Sequence, residues 1–327
     1  MDPGAPAARA RLEQVGSFTT TPLVVRGARV RVGVASWTDP TFTAKGVFYP
    51  DDARTPEKRL RFYASRFPVV EVDSTYYALP TVDTARAWVE RTPVHFTFDV
   101  KAFALMTGHP TEVARLPGAL KEALPAPLAK VKRVTAEELP PEFVDEVWRI
   151  FREACEPLRD SGKLGAVFLQ YAPWVGPGKD SPAMLERAIE RLEGLPVAVE
   201  FRNAEWMTER LRERTWQLLE RLGVSYVGVD EPQGTPTSIP PLLKTTQRRL
   251  AVIRLHGQRA DTWAARGVPA VEKYRYLYSP AELDAWAKKI VEAAATADNL
   301  HVIFNNCYAN YGAVNAAEMI KKLGERM

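Results

Sequence analysis

Eight short apolar runs, all but the sixth followed by a stretch of helical periodicity, leave this chain few folds to adopt. The runs cover residues 30–35, 69–72, 95–100, 165–169, 197–201, 224–229, 251–255 and 301–304. All are rich in Val, Ile, Leu and Phe, as parallel strands buried on both faces are. Amphipathic segments at 56–66, 84–91, 141–160, 183–193, 208–222, 280–295 and 313–325 alternate with them. Ser279-Pro280-Ala281-Glu282 has the form of a capping box with proline at the first helical position, and Gly223 stands where a helix ends on glycine. Eight βα units in 327 residues predict an α/β fold, a closed (β/α)8 TIM barrel, rather than an open doubly wound sheet. The turn after the first run, Ser36-Trp37-Thr38-Asp39-Pro40, lacks the glycine-rich fingerprint of the open nucleotide-binding alternative.

Domain organisation follows from the same pattern. Residues 29–327 read as the single barrel domain, with a helical insertion in the long link between the third and fourth strands. Residues 1–28 contain Asp2, Pro3 and Pro6 and no apolar core, which predicts a loosely ordered extension rather than a secretory signal. A charged fraction of 26% against 46% apolar excludes a disordered or fibrous chain. The +4 surplus is too thin for charge alone to imply a nucleic-acid binder. No apolar run approaches 18 residues, so no membrane span is predicted. Two distant cysteines, Cys155 and Cys307, suit a reducing, cytoplasmic setting.

Strand side chains alternate between the helix layer and the lumen. Assigning the apolar parity to the helices sends a set of polar residues inward: Glu71, Asp73, Asp99, Lys101, Gln170, Glu200, Arg202, Asp230, Arg254, His256 and Asn305. They gather near the C-terminal strand ends, where barrel enzymes hold their active sites. A lumen built only for stability would be filled by Val, Ile and Leu, because buried charges are costly unless paired. A ligand site accounts better for the whole layer. Trp37, Phe48, Tyr49, Tyr76, Tyr77, Trp206 and Trp263 add an aromatic rim suited to stacking on sugars or bases.

These residues lie in motifs that resemble one family, the domain of unknown function 72 or YecE-like family. Gly33-Val34-Ala35-Ser36-Trp37, Glu71-Val72-Asp73-Ser74-Thr75-Tyr76-Tyr77, Glu200-Phe201-Arg202 with Trp206, Arg254-Leu255-His256-Gly257 and Phe304-Asn305-Asn306 carry the resemblance from about residue 30 to 325. Asp73 and Tyr76 stand where the family pattern has Asn and Phe. The resemblance implies a TIM barrel similar to those of xylose isomerase and apurinic endonuclease type. It implies no particular reaction.

Acid–base chemistry fits the inward residues. Glu71 or Glu200 is the expected base, and His256 or Lys101 the proton donor, with Asp230 beside them. Arg202 and Arg254 are expected to hold an anionic group. Trp37, Asp73, Tyr77, Gln170, Asn305 and Asn306 are expected to bind substrate, the two asparagines leading into a helix N-terminus suited to an anion. No resident cofactor is expected. The alternative is an oxygen-rich Mg2+ or Mn2+ site from Glu71, Glu200, Asp230 and His256. A histidine-rich zinc site is disfavoured, since His95 and His301 begin their strands at the opposite mouth and His109 lies in a loop. The expected function is an enzyme of hydrolase or isomerase type acting on a small anionic, phosphorylated or sugar-like ligand or on nucleic acid. The alternative is a non-catalytic module for nucleic acid or a partner protein, to which the run Lys273-Tyr274-Arg275-Tyr276-Leu277-Tyr278 is suited.

Overall fold

The computed structural model describes residues 4–235, 237–265 and 267–326. A hairpin opens the sheet: β1 (Leu23–Val25) turns through Arg26 and Gly27, both at positive φ, into β2 (Ala28–Ala35) and pairs with it antiparallel. The next strands, β3 (Val69–Val72) and β4 (Thr97–Lys101), run parallel to β2. After β4 comes an excursion with a two-stranded antiparallel ribbon, β5 (Thr111–Glu112) and β6 (Arg133–Val134), that stays off the barrel. The parallel series resumes with β7 (Leu164–Gln170), β8 (Val197–Glu200), β9 (Ser225–Asp230), β10 (Ala251–Leu255) and β11 (Asn299–Phe304). β11 pairs with β2, so eight parallel strands close into a barrel.

Helices α1 (Gly4–Val15), α2 (Pro56–Ala64), α3 (Val82–Glu90), α4 (Gly118–Glu122), α5 (Pro141–Asp160), α6 (Ser181–Arg191), α7 (Arg212–Leu222), α8 (Ala260–Trp263), α9 (Ala270–Lys273), α10 (Pro280–Ala294) and α11 (Tyr311–Gly324) complete the fold. The longer ones form the outer ring. Local chemistry starts and stops them as expected. Thr55 caps α2 by accepting from the Lys58 N–H, Ser279 and Glu282 make the reciprocal capping box of α10, and Gly223 ends α7 at φ +68°. The outward strand residues Val70, Val72, Phe98, Val100, Val197, Val199, Ile253 and Leu255 are buried against this ring. Each stabilises the barrel by roughly 1.5–3 kcal/mol of apolar transfer. Tyr63 ties α2 to the sheet by accepting from the Val34 N–H and donating to the Val69 carbonyl, both at 2.9 Å. Gly33 is required beside it, since a Cβ there would strike the Val69 carbonyl oxygen.

Within the stretch read as a loose extension, residues 4–15 form α1, which lies along α11; residues 1–3 fall outside the described residues. Ala8 and Leu12 pack on Tyr311 and Val314, and Arg11 pairs with Glu318 at 2.7 Å. Ala8 and Leu12 alone are too little apolar surface to announce a helix in sequence; the neighbouring face of α11 supplies the reason to fold. Among the described residues no helix is long and apolar enough to cross a membrane.

Candidate functional site

The upper lumen holds a fully buried ionic network centred on Arg254, from the inward parity of β10. Its Nε and Nη2 donate to the two oxygens of Glu71 on β3 at 2.8 and 2.6 Å, and its Nη1 donates to Glu200 on β8 and to Gln170 Oε1 on β7 at 3.2 Å. Arg202, two residues beyond Glu200, donates to Glu231 at 2.6 Å. It lies 2.7 Å from Glu200 Oε1 without hydrogen-bond alignment. Its Nη2 donates to His256 Nε2 at 3.2 Å, and the other ring nitrogen of His256 faces the Asn305 amide at 2.8 Å. The network therefore joins β3, β7, β8, β10 and the segments just past β9 and β11.

Burial and pairing set the charges. Burial pushes the Glu200 carboxyl up, but Arg254 and Arg202 together outweigh it and hold the group well below the usual carboxylate range. Burial wins at Glu71, which is raised despite Arg254 and Lys101, and at Glu231, pushed up to about 7 despite Arg202. Burial, followed by Arg202, takes His256 down to about 3, so its imidazole is neutral. Neither Glu200 nor His256 has the basicity of a general acid–base group near neutrality.

Lys101, at the end of β4, differs from all of these. No carboxylate or hydrogen-bond acceptor among the described residues pairs with its Nζ, which rests 4.5 Å above the Tyr76 ring. Burial lowers its pKa to about 8, Arg254 adds to the effect, and Glu71 and Glu200 oppose it. Asp73 lies nearby and feels the Lys101 charge; burial raises its carboxyl, and Ser36 hydrogen-bonds to it. Ser36 itself sits at φ +67°, a conformation costly for a residue with a Cβ.

An aromatic and polar wall closes over this lysine. Tyr76 meets Tyr77 edge-on at 5.0 Å and His109 at 5.2 Å, and half-exposed Tyr77 takes Arg115 over its face. Tyr274 and Trp263 stand 6.0 and 6.1 Å from His256, with Arg202 over the Trp263 ring at 5.4 Å. Burial, Lys101 and Arg202 lower His109 to about 4, so this loop histidine borders the same site.

The expected set is thus brought together at Glu71, Asp73, Tyr77, Lys101, Gln170, Glu200, Arg202, Arg254, His256 and Asn305, and broken at four residues. Asp230 is turned away. Register pairs Val229 with inward Arg254 and Asp230 with outward Leu255, so Asp230 accepts from Tyr278 Oη and Gln258, each at 2.6 Å. The next residue, Glu231, enters the network in its place. Trp37 is also outside: the left-handed turn at Ser36 reverses the chain, and Trp37 packs on Trp88 and Phe98 in the helix layer. Asn306 donates to the Tyr276 carbonyl and to Asn315, bracing the turn into α11 rather than a ligand. Asp99 drops to the layer below, paired with His301. Arg202 and Arg254 sit in the site, but their donors are committed to carboxylates, Gln170 and His256, so they are not an open anion clamp. Nor does the oxygen-rich metal set assemble, since Arg254 occupies Glu71 and Glu200 while Asp230 faces Tyr278. Among the described residues no three His, Cys, Asp or Glu converge to hold a metal ion.

Glu231, Tyr274 and His109 were the additions sequence reasoning missed. Glu231 continues the inward parity of Val227 and Val229, which only the register with β10 assigns. His109 and Tyr274 reach the site through loops, which have no period to read.

A closed α/β barrel with an ionic layer and one unpaired lysine under its C-terminal rim defines a barrel class with a candidate active site. The chain matches the family described as Protein of unknown function DUF72 over residues 31–327, and it belongs to that family. It is similar to the UPF0759 protein YunF of Bacillus subtilis (strain 168), 28% identical over 298 residues, covering 90% of this chain and 94% of that protein. Among solved structures it resembles a DUF72 family protein of Thermotoga maritima MSB8, with TM-score 0.70, 28% identity, and 90% of this chain and 99% of that one covered. It also resembles a DUF72 family protein of Enterococcus faecalis V583, with TM-score 0.71, 26% identity and coverage of 90% and 95%.

Proposed function

We propose that this protein is an enzyme in which Lys101 transfers a proton to or from a polyhydroxylated, sugar-like substrate held under the aromatic rim. The observation that carries the reading is the isolation of the Lys101 ammonium. Among the described residues the buried arginines and glutamates of the layer pair with one another, whereas the Lys101 ammonium rests on the Tyr76 ring without an ion-pair or hydrogen-bond partner, at a depth where its pKa falls to about 8. An amine with that value is close to half neutral at mildly alkaline pH and serves as base or acid with little driving-force penalty. The fixed ion pairs beneath it hold its surroundings rigid, so no charge reorganises when the proton moves. Gln170, Asn305, Asp73 and the Tyr77 and Tyr274 hydroxyls supply neutral and anionic hydrogen-bond partners for hydroxyl groups. The pairing of Arg202 and Arg254 with buried carboxylates favours a neutral polyol over a phosphorylated ligand at this mouth.

The alternative of a nucleic-acid module draws less support, because the interleaved run from Lys273 to Tyr278 is folded inward. Tyr274 faces the site, Tyr276 donates to Glu282, and Tyr278 donates to Asp230.

The test is solvent-deuterium incorporation, followed by NMR, into a panel of aldoses, ketoses and sugar acids. Wild-type protein is expected to exchange a carbon-bound proton of one class, with a rate rising through about pH 8 as Lys101 loses its proton. Lys101→Met should slow the exchange by roughly 10²–10⁴-fold. Equal rates in the two proteins would overturn the reading.

A further inference from the structure

The strand alternation that fills the upper lumen also delivers polar side chains to the other end. On β2 the inward parity carries Arg29 and Arg31, and register sets them level with Asn299 and His301 on β11. With Thr97 and Gly165 they line a cavity of about 950 Å³ open at the N-terminal mouth. Gly165 has no room for a side chain: a Cβ would run into Asp99, His301 and Thr97.

His301 and Asp99 form a buried dyad behind this cavity. The imidazole Nδ1 lies 3.0 Å from both Asp99 oxygens. A carboxylate only accepts, so Nδ1 carries the proton. Among the described residues Nε2 has no hydrogen-bond partner, on a ring that lines the cavity. The dyad joins β4 to β11 across the lumen, and bracing the barrel would explain it alone.

Bracing does not explain the arginines. Arg29 Nε and Arg31 Nη1 both donate to the same neutral atom, Asn299 Oδ1, at 3.1 and 3.3 Å, and among the described residues neither guanidinium pairs with a carboxylate. Arg31 Nε is buried with no partner at all. Burial, then the neighbouring Arg29 charge, depresses the Arg31 pKa, which Asp99 only partly offsets. Two adjacent like charges, one of them with a buried orphan donor, form an unfavourable arrangement that an anion would relieve. The acidic side chains lining the cavity, Glu190 and Glu193, are exposed at and just beyond the end of α6, on the wall opposite β2.

We propose that the N-terminal mouth is a binding site for a phosphate-type oxyanion. Arg31 and Arg29 hold two of its oxygens, and His301 Nε2 accepts a hydrogen bond from its hydroxyl when it is protonated. The site is independent of the Lys101 mouth, about a barrel length away, and stands or falls apart from it.

Calorimetric titration with inorganic phosphate and with phenyl phosphate tests the assignment. Wild-type protein should bind at least one saturably, and phenyl phosphate distinguishes a monoester-sized site from one closed around free phosphate. Arg31→Gln should weaken that binding by about tenfold or more, as loss of a charge-assisted contact does. Arg31→Lys, which keeps the charge and loses the planar fork, should weaken it less but measurably, and guards against a folding defect. Lys101→Met should leave it intact, and phosphate should shift the His301 ring resonances without moving those of His256. Absence of saturable binding of both probes, unchanged affinity in Arg31→Gln, or loss of binding in Lys101→Met alone would each overturn the proposal.

Discussion

The two ends of one lumen use the same alternation to opposite effect. At the C-terminal mouth Arg254 and Arg202 meet Glu71, Glu200 and Glu231, so guanidiniums and carboxylates satisfy one another and only Lys101 is left over. At the N-terminal mouth Arg29 and Arg31 share one amide oxygen, and Asp99, whose charge Arg31 feels, is taken by His301. The first end is electrostatically closed and presents a single titrating amine to the rim. The second is open and positive on one side. A barrel has no apolar reason to keep charge at either end, so how each charge is paired says more about its use than where it lies.

Removing the centre of the closed end should have the largest effect. Arg254→Met strips Glu71 of its bidentate partner and leaves Glu200 with Arg202 alone, both carboxylates staying buried, and a loss of about 3–5 kcal/mol is expected in urea denaturation. A loss below about 1 kcal/mol would mean that the two mouths do not differ in the way described.

The leftover lysine supplies a second contrast, in pH. Its folded pKa, about 8, lies below the ordinary 10.5. Between those values the unfolded chain binds a proton that the folded chain does not. Stability contributed by this group therefore rises as pH increases from about 8 to 10.5. Denaturation midpoints across that window should climb for the wild type relative to Lys101→Met; parallel curves would place Lys101 in an ordinary solvated state.

The smallest effect separates two neighbours in sequence. Asp230→Asn, outside the network, should cost about 1 kcal/mol and leave ligand shifts at the upper mouth unchanged. Glu231→Gln removes the partner of Arg202 and should perturb the resonances of His256, which shares that guanidinium. Equal perturbation of His256 by both substitutions would return Asp230 to the site.

Much of this architecture was legible beforehand. The eight apolar runs, the capping box at Ser279 and the terminating Gly223 each act through near neighbours in the chain, and all are visible as spacing. The inward placement of Glu71, Lys101, Glu200, Arg254 and His256 was legible for the same reason, since their strands carry an unambiguous apolar parity. Asp230 was misplaced because β9 reads Ser-Tyr-Val-Gly-Val-Asp, with small or apolar residues on both parities; only its register with β10 decides which face is inward. Trp37 was misplaced because one left-handed residue, Ser36, ends the alternation just before it. Helix α1 is not legible in sequence because the contacts described for it, from Ala8 and Leu12, depend on α11.

By itself, then, the order of residues determined a closed ring of alternating strands and helices, and which strands would send charge into its lumen. Those are properties of period and polarity that a short window of chain contains. Tertiary structure alone decided that Arg254 would bind Glu71, 183 positions away, that Glu231 would replace Asp230, and that Lys101 and the pair Arg29 and Arg31 would have no carboxylate partner among the described residues. Coulomb and hydrogen-bond energies depend on separations of a few ångströms between atoms from different strands, and only closure of the barrel sets those separations.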